Sequence, residues 1–389
     1  MHIVHLVTRL LRAGSEENTM ETCRYQAQLG HRVTLIHGQK YDPYWYKHPI
    51  AGVNLVALPE MVHPLKPLQD LVAYRKLCKY FVSQNPDVIH THQSKAGILG
   101  RLASKSVPDA VVAHGIHIVP FEGMNRLKQF AYIGAERLAA RRTDQYFAVS
   151  NAVGNSFINA GIASQDQVFC VRSGMDLGRY SNAQWPSDWQ ALLGSTLKPN
   201  RPRIALMMAA FEPRKRHLSF LREFARMADQ IPDLKLLLAG QGPQEHAVMK
   251  LVGELGLSNQ VIFCGHRADP EALLAMADVM VLASKREGLP RVVVQALAAG
   301  VPAIVNNLPG LDEVLQHNVN GVITPSDDLS QTARQMIDLL QDQPRLKRLQ
   351  LGAARTDLQD WELVALGHRT TALYGKQPLG EVDLQVAAG

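Results

Sequence analysis

The sequence predicts an α/β fold made of two doubly wound, Rossmann-like domains. Its 389 residues exceed the roughly 250–300 residues at which a single hydrophobic core stops growing. Short runs rich in Val, Ile and Leu alternate with helix-like segments, and this rhythm occurs twice along the chain. Because the apolar residues of these runs do not alternate strictly with polar ones, the runs indicate parallel strands that are buried on both faces. We therefore expect two domains facing each other across a cleft, with ligands bound beyond the carboxyl ends of the strands.

The predicted elements follow one another in the same order in both halves. In the first half, strands are expected at 2–7, 32–37, 53–58, 87–91, 110–113, 145–149 and 168–172, with helices at 16–29, 67–84, 95–106 and 126–142. In the second half, strands are expected at 204–208, 234–239, 261–264, 279–283 and 303–306. A stretch rich in Pro, Asn and Ser, residues 181–201, predicts a linker. The predicted divisions are a first domain over 1–185, a second over 202–360 and a C-terminal segment over 361–389.

Composition narrows the class of protein. Hydrophobic residues make up 46% and charged residues 20% of the chain, which is ordinary for a globular protein. The four cysteines are scattered without a C-x-x-C pair, so we expect neither a zinc site nor disulfides, and a cytoplasmic location. The apolar run His2–Val7 is short and is followed by Arg9 and Arg12. It therefore predicts a first buried strand rather than a signal peptide or a membrane span.

The basic residues are concentrated in the first half. Residues 1–185 hold 20 Lys and Arg against 13 Asp and Glu, whereas residues 186–389 hold 21 against 22. This asymmetry favours an anionic partner for the first half, either a membrane surface or an acidic acceptor. No nucleic-acid-binding motif is recognisable, so no nucleic-acid partner is expected.

The most informative motif runs from Glu287 to Pro302. Pro290 suits the first turn of a helix, where its missing N–H costs nothing. The N–H groups of Gly288 and Leu289 then point away from the positive end of the helix dipole, an arrangement that binds anions such as pyrophosphate. Glu287 accepts hydrogen bonds and suits sugar hydroxyls. The alternative is an ordinary helix start beside a solvated glutamate.

Polar residues follow several predicted strands of the first half. Gly14 and Ser15 precede a helix and let backbone approach a phosphate or sugar, although an ordinary turn has the same composition. His114 ends an apolar run before a glycine, so we expect it at the rim of the cleft rather than in the core. His90 and His92 are read either as strand-end site residues or as buried, hydrogen-bonded histidines. No pair of a histidine and a carboxylate has metal-ligand spacing, so no metal site is predicted.

A basic turn follows the first strand of the second half. Arg214, Lys215 and Arg216 open a helix, where cations oppose the helix dipole, and this indicates a bound anion or else a solvated turn. The later turn Gly240-Gln-Gly242-Pro is not a G-x-G-x-x-G fingerprint. It therefore argues against a nicotinamide or flavin cofactor, and none is expected.

The motifs of the second half occur in an order that resembles the retaining GT-B glycosyltransferases, specifically the GT4 family. They are Gly240-x-Gly-Pro, Val261-x-Phe-x-Gly265, Ala277-Asp278-Val, Glu287-Gly-Leu-Pro, Ala298-Ala-Gly-Val-Pro302 and Gly310-x-x-Glu313. The resemblance extends over nearly the whole chain. It implies a GT-B fold, a nucleotide-diphosphate sugar as donor substrate, and a final helix around Trp361–Tyr374 that crosses back to the first domain.

The resemblance also implies a role for each candidate residue. Glu287 contacts the donor sugar, the amides of Gly288 and Leu289 bind phosphate, and Lys215 neutralises the pyrophosphate. From the first domain, His114 meets the donor sugar, and Gly14 and Ser15 lie near the phosphate. The resemblance thus implies a catalytic role for His114, Lys215 and Glu287. It implies donor binding by Gly14, Ser15, Arg214, Lys215, Gly288, Leu289 and Gln295.

Two positions depart from the family pattern. Gln295 stands where relatives carry a second acid that grips ribose, and an amide lacks the charge-assisted strength of a carboxylate. Ala209 and Ala210 stand where many relatives carry an arginine, so phosphate neutralisation falls on Lys215 with help from Arg214. Donor affinity or nucleotide preference is therefore expected to differ from the family norm.

The resemblance implies retaining transfer of a sugar to a glycan or lipid-linked acceptor of bacterial surface polysaccharide or lipopolysaccharide synthesis. A sugar-nucleotide epimerase of the same architecture and a catalytically weakened binding protein are the alternatives.

The segment Asn125–Arg142 carries five cations against one acid, Glu136. The segment also has an apolar stripe, formed by Leu127, Phe130, Ala131, Gly134 and Leu138. One interpretation is a helix whose apolar stripe packs on the sheet. The other is a helix whose basic side docks on the anionic inner face of the cell membrane.

Overall fold

A computed structural model of the chain describes residues 1–12, 14–193 and 201–375. Residues 194–200 of the predicted linker and residues 376–389 of the predicted C-terminal segment lie outside the described residues. The described residues divide into two compact units. One comprises Met1–Met175 and Gln359 to Gly375, and the other lies within Asp176–Leu358.

The first unit is built on a seven-stranded parallel sheet in the order β3-β2-β1-β4-β5-β6-β7. Its strands are β1 (His2–Leu10), β2 (Arg32–Tyr41), β3 (Val53–Ala57), β4 (Val88–His92), β5 (Val111–Ile116), β6 (Gln145–Ala148) and β7 (Val168–Cys170). Its helices are α1 (Gly14–Gln28), α2 (Tyr44–Lys47), α3 (Pro67–Gln84), α4 (Ser94–Ala103), α5 (Arg126–Ala140) and α6 (Asn151–Asn159). The seven strands and four helices predicted for this half are therefore confirmed, with shifts at their ends.

Helices cover both faces of this sheet. Neighbouring residues of β1 point to opposite faces, and Val4 and Leu6 pack in one core cluster with Phe81 of α3. Ile3 belongs to a different cluster on the other face. α4 packs between α3 and α5 on the same side as Phe81, which places three helix starts together at the carboxyl edge of the strands.

The second unit is built on a six-stranded parallel sheet in the order β10-β9-β8-β11-β12-β13. Its strands are β8 (Ile204–Met208), β9 (Lys235–Ala239), β10 (Val261–Gly265), β11 (Val279–Leu282), β12 (Ala303–Asn306) and β13 (Gly321–Thr324). Its helices are α7 (Gly178–Ser181), α8 (Trp189–Leu193), α9 (His217–Ala225), α10 (Glu245–Glu254), α11 (Pro270–Met276), α12 (Arg291–Ala298), α13 (Leu329–Gln341) and α14 (Gln343–Ala354). The edge strand β13 was not predicted.

The division between the units falls at Met175, earlier than the predicted boundary at residue 185. The reason lies in ion pairs that hold the intervening segment to the second unit. Arg179 pairs with Glu271 at 2.8 Å, and Asp188 accepts two hydrogen bonds from Arg267, at 2.6 and 3.0 Å.

The chain returns to the first unit through α15 (Leu363–Tyr374), which packs against α1. Gly367 permits this close approach, because a Cβ at that position would lie 2.2 Å from Cγ of Tyr25. Among the described residues, no helix combines the length and the apolar character needed to cross a bilayer.

Candidate active site

A cluster of two cations and a carboxylate lies at the carboxyl edge of the second sheet. Arg214 and Lys215 sit in a 3-10 turn directly after β8, and Glu287 lies in the loop between β11 and α12. Because β8 and β11 are parallel neighbours, both loops leave the sheet at the same edge. Arg214 Nη1 lies 2.9 Å from Glu287 Oε2, and Lys215 Nζ bonds the other carboxylate oxygen.

The cluster is mostly shielded from solvent. The side chains of Lys215 and Glu287 are only 12% and 11% exposed. Burial alone would raise the pKa of Glu287, but the charges of Lys215 and Arg214 outweigh burial and lower it. Glu287 is therefore ionised at neutral pH, and it fixes the positions of the two cations before any ligand binds.

Backbone contacts hold the two loops together. The N–H of Lys285 donates to the carbonyl of Arg214 at 2.7 Å, and the Arg214 guanidinium also pairs with Glu212 at 2.8 Å. Residues separated by more than seventy positions in the sequence are thus joined in one rigid arrangement, as a site for a charged ligand requires.

The start of α12 completes this part of the site. The helix begins at Arg291, one residue later than predicted, with Pro290 in an extended conformation at the N-cap. Gly288 and Leu289 are buried just ahead of it. Their N–H groups donate to no acceptor in the described part of the chain, so they remain available for an anion at the positive end of the helix. Gln295 is half-buried in the second turn of α12.

The expectation that His114 lies at a rim rather than in the core is wrong. β5 continues to Ile116, so His114 lies inside the strand, and it is 4% exposed. Its side chain packs against α4, where Gly97 leaves room because a Cβ there would lie 2.5 Å from His114 Cε1. Nδ1 of His114 lies 2.9 Å from Thr91 Oγ1. Burial, with a smaller effect of the Arg101 charge, lowers the pKa of His114 well below its usual range, which keeps the imidazole neutral.

A buried ion pair beside His114 escaped sequence analysis. Arg101 of α4 and Glu136 of α5 are both 0% exposed, and Nη2 lies 2.5 Å from Oε2. Arg101 also donates to the carbonyl of Gly97 at 2.8 Å and lies 3.3 Å from the hydroxyl of Tyr146, which meets the His114 ring edge-on. From sequence, each of the two residues is expected to be an exposed charge on a helix. Neither segment contains a motif that predicts the ion pair.

The turn at Gly14 and Ser15 begins α1 directly. The Ser15 hydroxyl donates to Glu16 Oε2 at 2.5 Å, and Gln93 Nε2 donates to Oε1 at 3.0 Å. Glu16 is 2% exposed, and burial raises its pKa in spite of these hydrogen bonds. Glu16 therefore links the start of α1 to Gln93, the residue before α4.

The interpretation of His90 and His92 as buried, hydrogen-bonded histidines is confirmed. Both are 3% exposed. His92 Nε2 lies 3.1 Å from His5 Nδ1, His5 Nε2 lies 2.8 Å from the Gln26 amide oxygen, and His90 Nδ1 lies 2.6 Å from the Tyr374 hydroxyl. Burial lowers the pKa of His5 to about 4 and those of His90 and His92 well below 6.5.

One ring nitrogen of each of His5, His90 and His92 lies within 4.8 Å of the others, close enough to hold a metal ion. The three neutral imidazoles bring no carboxylate to offset a buried divalent charge. The sequence-based expectation of no metal site stays a prediction.

The apolar stripe of α5 faces outward. Leu127, Phe130 and Leu138 are 80%, 78% and 51% exposed, and Ala131 and Gly134 are exposed between them. The interpretation in which this stripe packs on the sheet is therefore wrong. The physical reason is that α5 is anchored by its opposite side, where Glu136 and Ala139 are fully buried.

Both halves of the chain match known protein families. Residues 190–356 match the family described as glycosyl transferases group 1, and residues 13–172 match the glycosyl transferase 4-like domain. The chain is similar to the UDP-Gal:alpha-D-GlcNAc-diphosphoundecaprenol alpha-1,3-galactosyltransferase of Escherichia coli, with 25% identity over 75% of this chain and 76% of that protein. It is also similar to the N-acetyl-alpha-D-glucosaminyl L-malate synthase of Bacillus anthracis, with 27% identity over 71% of each.

The fold has a close counterpart among solved structures. HepE of Anabaena, crystallised in complex with UDP, superposes with a TM-score of 0.80 and 20% identity over 97% of this chain and 100% of that chain. Two doubly wound parallel units are the architecture of the GT-B fold. The chain belongs to the GT4-like glycosyltransferases of group 1.

Proposed function

We propose that the protein transfers a sugar, with retention of anomeric configuration, from a nucleotide-diphosphate sugar to a glycan or lipid-linked acceptor in the synthesis of bacterial surface polysaccharide or lipopolysaccharide. The observation that carries this proposal is the cluster of Arg214, Lys215 and Glu287 beside the open N–H groups of Gly288 and Leu289. This combination offers cations and helix-terminal donors to phosphates and a carboxylate to sugar hydroxyls.

The two cations stabilise the leaving group. As the bond from sugar to phosphate breaks, negative charge grows on the pyrophosphate, and Lys215 and Arg214 stabilise that charge without reorganising. Retention follows because the acceptor hydroxyl attacks the anomeric carbon from the same face that the leaving group departs from. The leaving phosphate takes the proton of that hydroxyl. No cofactor or metal is needed, because the protein's own cations take the role of a metal ion.

Glu287 must change partners when a donor binds. In the ligand-free arrangement it bonds both cations. A donor pyrophosphate competes for Lys215 and Arg214, and the carboxylate then accepts from sugar hydroxyls. The contact of His114 with the donor sugar, which the family resemblance implies, stays a prediction, because His114 is 4% exposed and its Nδ1 lies 2.9 Å from Thr91 Oγ1.

The acceptor is proposed from charge and from relatives. The name of the Escherichia coli relative specifies a diphosphoundecaprenol acceptor, whereas that of the Bacillus anthracis relative specifies malate. Both acceptors are anionic, which fits the basic first half. The exposed basic side of α5 favours the membrane-borne class, with the protein held peripherally at the inner face of the cell membrane.

A panel of nucleotide sugars tests the donor proposal. Purified protein is incubated with each donor, and both release of nucleoside diphosphate and the fate of the sugar are followed by liquid chromatography and mass spectrometry. We expect one or two donors to release nucleoside diphosphate, faster with membrane extract as acceptor source and undiminished by EDTA. An epimerised sugar without transfer would instead identify an epimerase, and donor binding without turnover would identify a binding protein.

Gln295 gives a graded test of ribose recognition. Gln295→Glu should preserve or strengthen donor binding, because a carboxylate makes charge-assisted hydrogen bonds to hydroxyls, whereas Gln295→Ala should weaken it by about 10-fold. Isothermal titration calorimetry with the preferred donor and with the free sugar phosphate separates the ribose contribution. Equal affinities for Gln295→Ala and the parent would assign Gln295 a packing role only.

The basic residues at the end of α5 test the membrane partner. Replacing Arg141 and Arg142 with Gln should weaken binding to vesicles containing anionic lipid, since each cation near such a surface contributes about 1 kcal/mol. Binding should also fade as salt screens the charges. The matched control replaces Arg226 and Lys250, which are 70% and 72% exposed in the second unit. If both variants lost the same fraction of vesicle binding, the effect would be a nonspecific one of net charge, and the proposed membrane contact of α5 would be contradicted.

A further inference from the structure

Aromatic side chains are concentrated in the segment that follows β2. The chain holds 10 Phe, 4 Trp and 10 Tyr among its 389 residues, yet four of these aromatic residues lie within six positions: Tyr41, Tyr44, Trp45 and Tyr46. Trp45 is buried, whereas Tyr41 and Tyr46 are 44% and 45% exposed. Exposed rings that are scattered singly need no explanation, but rings gathered in this way mark an interaction site. Residues 41–48 are here named the aromatic segment.

The exposed ring of Tyr46 is held in place by a buried histidine. His37 is 0% exposed, and burial lowers its pKa, so its imidazole is neutral. Its Nδ1 lies 2.8 Å from the carbonyl oxygen of Gly38 and donates to it, because a carbonyl only accepts. Its Nε2 is therefore an acceptor, and the Tyr46 hydroxyl donates to it at 2.6 Å. The ring of Tyr41 packs against both, with centroid distances of 5.2 Å to Tyr46 and 5.1 Å to His37. Two exposed rings thus have a fixed arrangement, which lowers the entropy cost of binding a ligand.

Two hydrogen bonds attach the aromatic segment to the end of β1. The N–H of Asp42 donates to the carbonyl of Leu10 at 2.8 Å, and the indole N–H of Trp45 donates to the carbonyl of Leu11 at 3.2 Å. Because β1 and β2 are parallel neighbours, the aromatic segment lies at the carboxyl edge of the first sheet. Doubly wound folds bind their ligands at this edge.

A cation links the aromatic segment to the turn at Gly14 and Ser15. The guanidinium carbon of Arg12 lies 4.3 Å from the centroid of the Tyr44 ring, within the range of a cation–π contact. Arg12 is two residues from Gly14, which the family resemblance implies to lie near the donor phosphate. The aromatic segment therefore flanks the part of the first unit that the resemblance assigns to the donor, and it suits the second substrate.

The two exposed rings have a polar border. Gln39, Lys40, Lys47 and His48 flank them in the sequence and are exposed. An acyl chain offers no hydrogen-bond partner to such a border. Two rings that are each less than half exposed are also a small part of the roughly 800 Å² that each partner of a stable protein interface buries. The size and the mixed character of the surface fit a sugar ring.

We propose that the aromatic segment binds a pyranose ring of the acceptor, which packs on Tyr41 and Tyr46 while its hydroxyls bond to the polar border. The faces of a pyranose carry C–H groups that attract the negative face of an aromatic ring, and its rim carries hydroxyls. This inference rests on the proposed function, because it names the part of the acceptor that the enzyme recognises. The ring is the chemistry that a free glycan and a lipid-linked glycan share.

Saturation-transfer NMR on the protein without donor tests the proposal. The probes are methyl pyranosides of glucose, galactose, mannose and N-acetylglucosamine, each compared with its octyl counterpart below the critical micelle concentration. We expect at least one methyl pyranoside to bind, and Tyr41→Ala and Tyr46→Ala each to weaken its binding by about 10-fold, the scale of losing one aromatic contact. Tyr41→Phe keeps the ring and should stay within about two-fold of the parent. The matched control is Phe130→Ala, which removes a 78% exposed ring from α5 and should leave the affinity unchanged.

Three results would overturn the inference: no binding of any pyranoside to the parent, equal binding by the parent and both Ala variants, or binding of the octyl probes alone, which would identify a surface for acyl chains. Circular dichroism establishes that the variants are folded. Release of nucleoside diphosphate from the donor panel is measured in parallel. Turnover by the parent with pyranoside binding that does not depend on Tyr41 or Tyr46 rejects only this inference. Tyrosine-dependent pyranoside binding by a protein that turns over no donor rejects the proposed function and leaves the sugar site.

Discussion

Lys215→Ala should lower turnover by at least about 100-fold, the scale of losing one preorganised transition-state donor. The Nζ of Lys215 lies against Glu287 in a largely buried position. Water therefore screens the charge of Lys215 only weakly. Glu287→Ala should have an effect of the same order, because it removes the carboxylate that is proposed to accept hydrogen bonds from the donor sugar. Turnover is measured under saturating donor with the panel substrate that gives the highest rate.

The control for both changes is Lys285→Ala, which removes an exposed cation two residues from Glu287. This variant should keep turnover within a few-fold of the parent. Thermal unfolding establishes that all three variants are folded, which is expected because the cluster lies at the end of the strands and outside the hydrophobic core. Near-normal turnover by folded Lys215→Ala would remove its assigned role at the pyrophosphate.

Glu136→Ala should reduce the free energy of unfolding by about 3–5 kcal/mol, the cost of leaving one member of a buried ion pair uncompensated. Both side chains of the pair with Arg101 are 0% exposed, so water cannot replace the missing carboxylate. The measurement is chemical denaturation of the purified protein, followed by circular dichroism.

The double variant Arg101→Met, Glu136→Leu is the informative control. It removes both charges and keeps apolar volume, so most of the lost stability should return. A loss below about 1 kcal/mol in Glu136→Ala, the range of exposed pairs, would contradict the assignment of this pair as a buried structural element.

The parallel strands were predictable from the sequence because they are rich in apolar residues that do not alternate strictly with polar ones. β1 and β8, for example, are almost entirely buried. The short edge strand β13 has only four residues and was missed, since a run of that length does not stand out from its surroundings. Helix ends were predicted within a few residues. In the structure, Pro67 in the first turn of α3 and Asn125 at the N-cap of α5 carry recognised helix-start signals.

The second-unit part of the site was predictable because its residues lie at strand ends within short motifs. Glu287 and Lys215 were both named from sequence, and the structure adds that they bond directly. Burial was harder to predict. His114 and the Arg101–Glu136 pair depend on the contact of α4 with β5 and α5, which is a tertiary property that neither segment encodes locally.

In one interpretation the apolar stripe of α5 was expected to be buried, and it is exposed, whereas His114 was expected at a rim and is buried; in both cases the local sequence did not predict burial. Apolar residues at helical spacing predict a buried face, yet Phe130 is 78% exposed because Glu136 and Ala139 occupy the packed side. A pattern identifies the faces of a helix, but which face is turned inward depends on tertiary contacts such as the pair of Glu136 with Arg101.

The stereochemistry of the product tests the proposed reaction most directly. Proton NMR of the reaction, run with an α-linked nucleotide-diphosphate sugar, follows loss of the donor anomeric signal and growth of the product anomeric signal, whose coupling constant reports configuration. Retaining transfer predicts an initial α-linked product formed together with nucleoside diphosphate. A β-linked initial product, or loss of donor only as free sugar in the presence of a competent acceptor preparation, would contradict it.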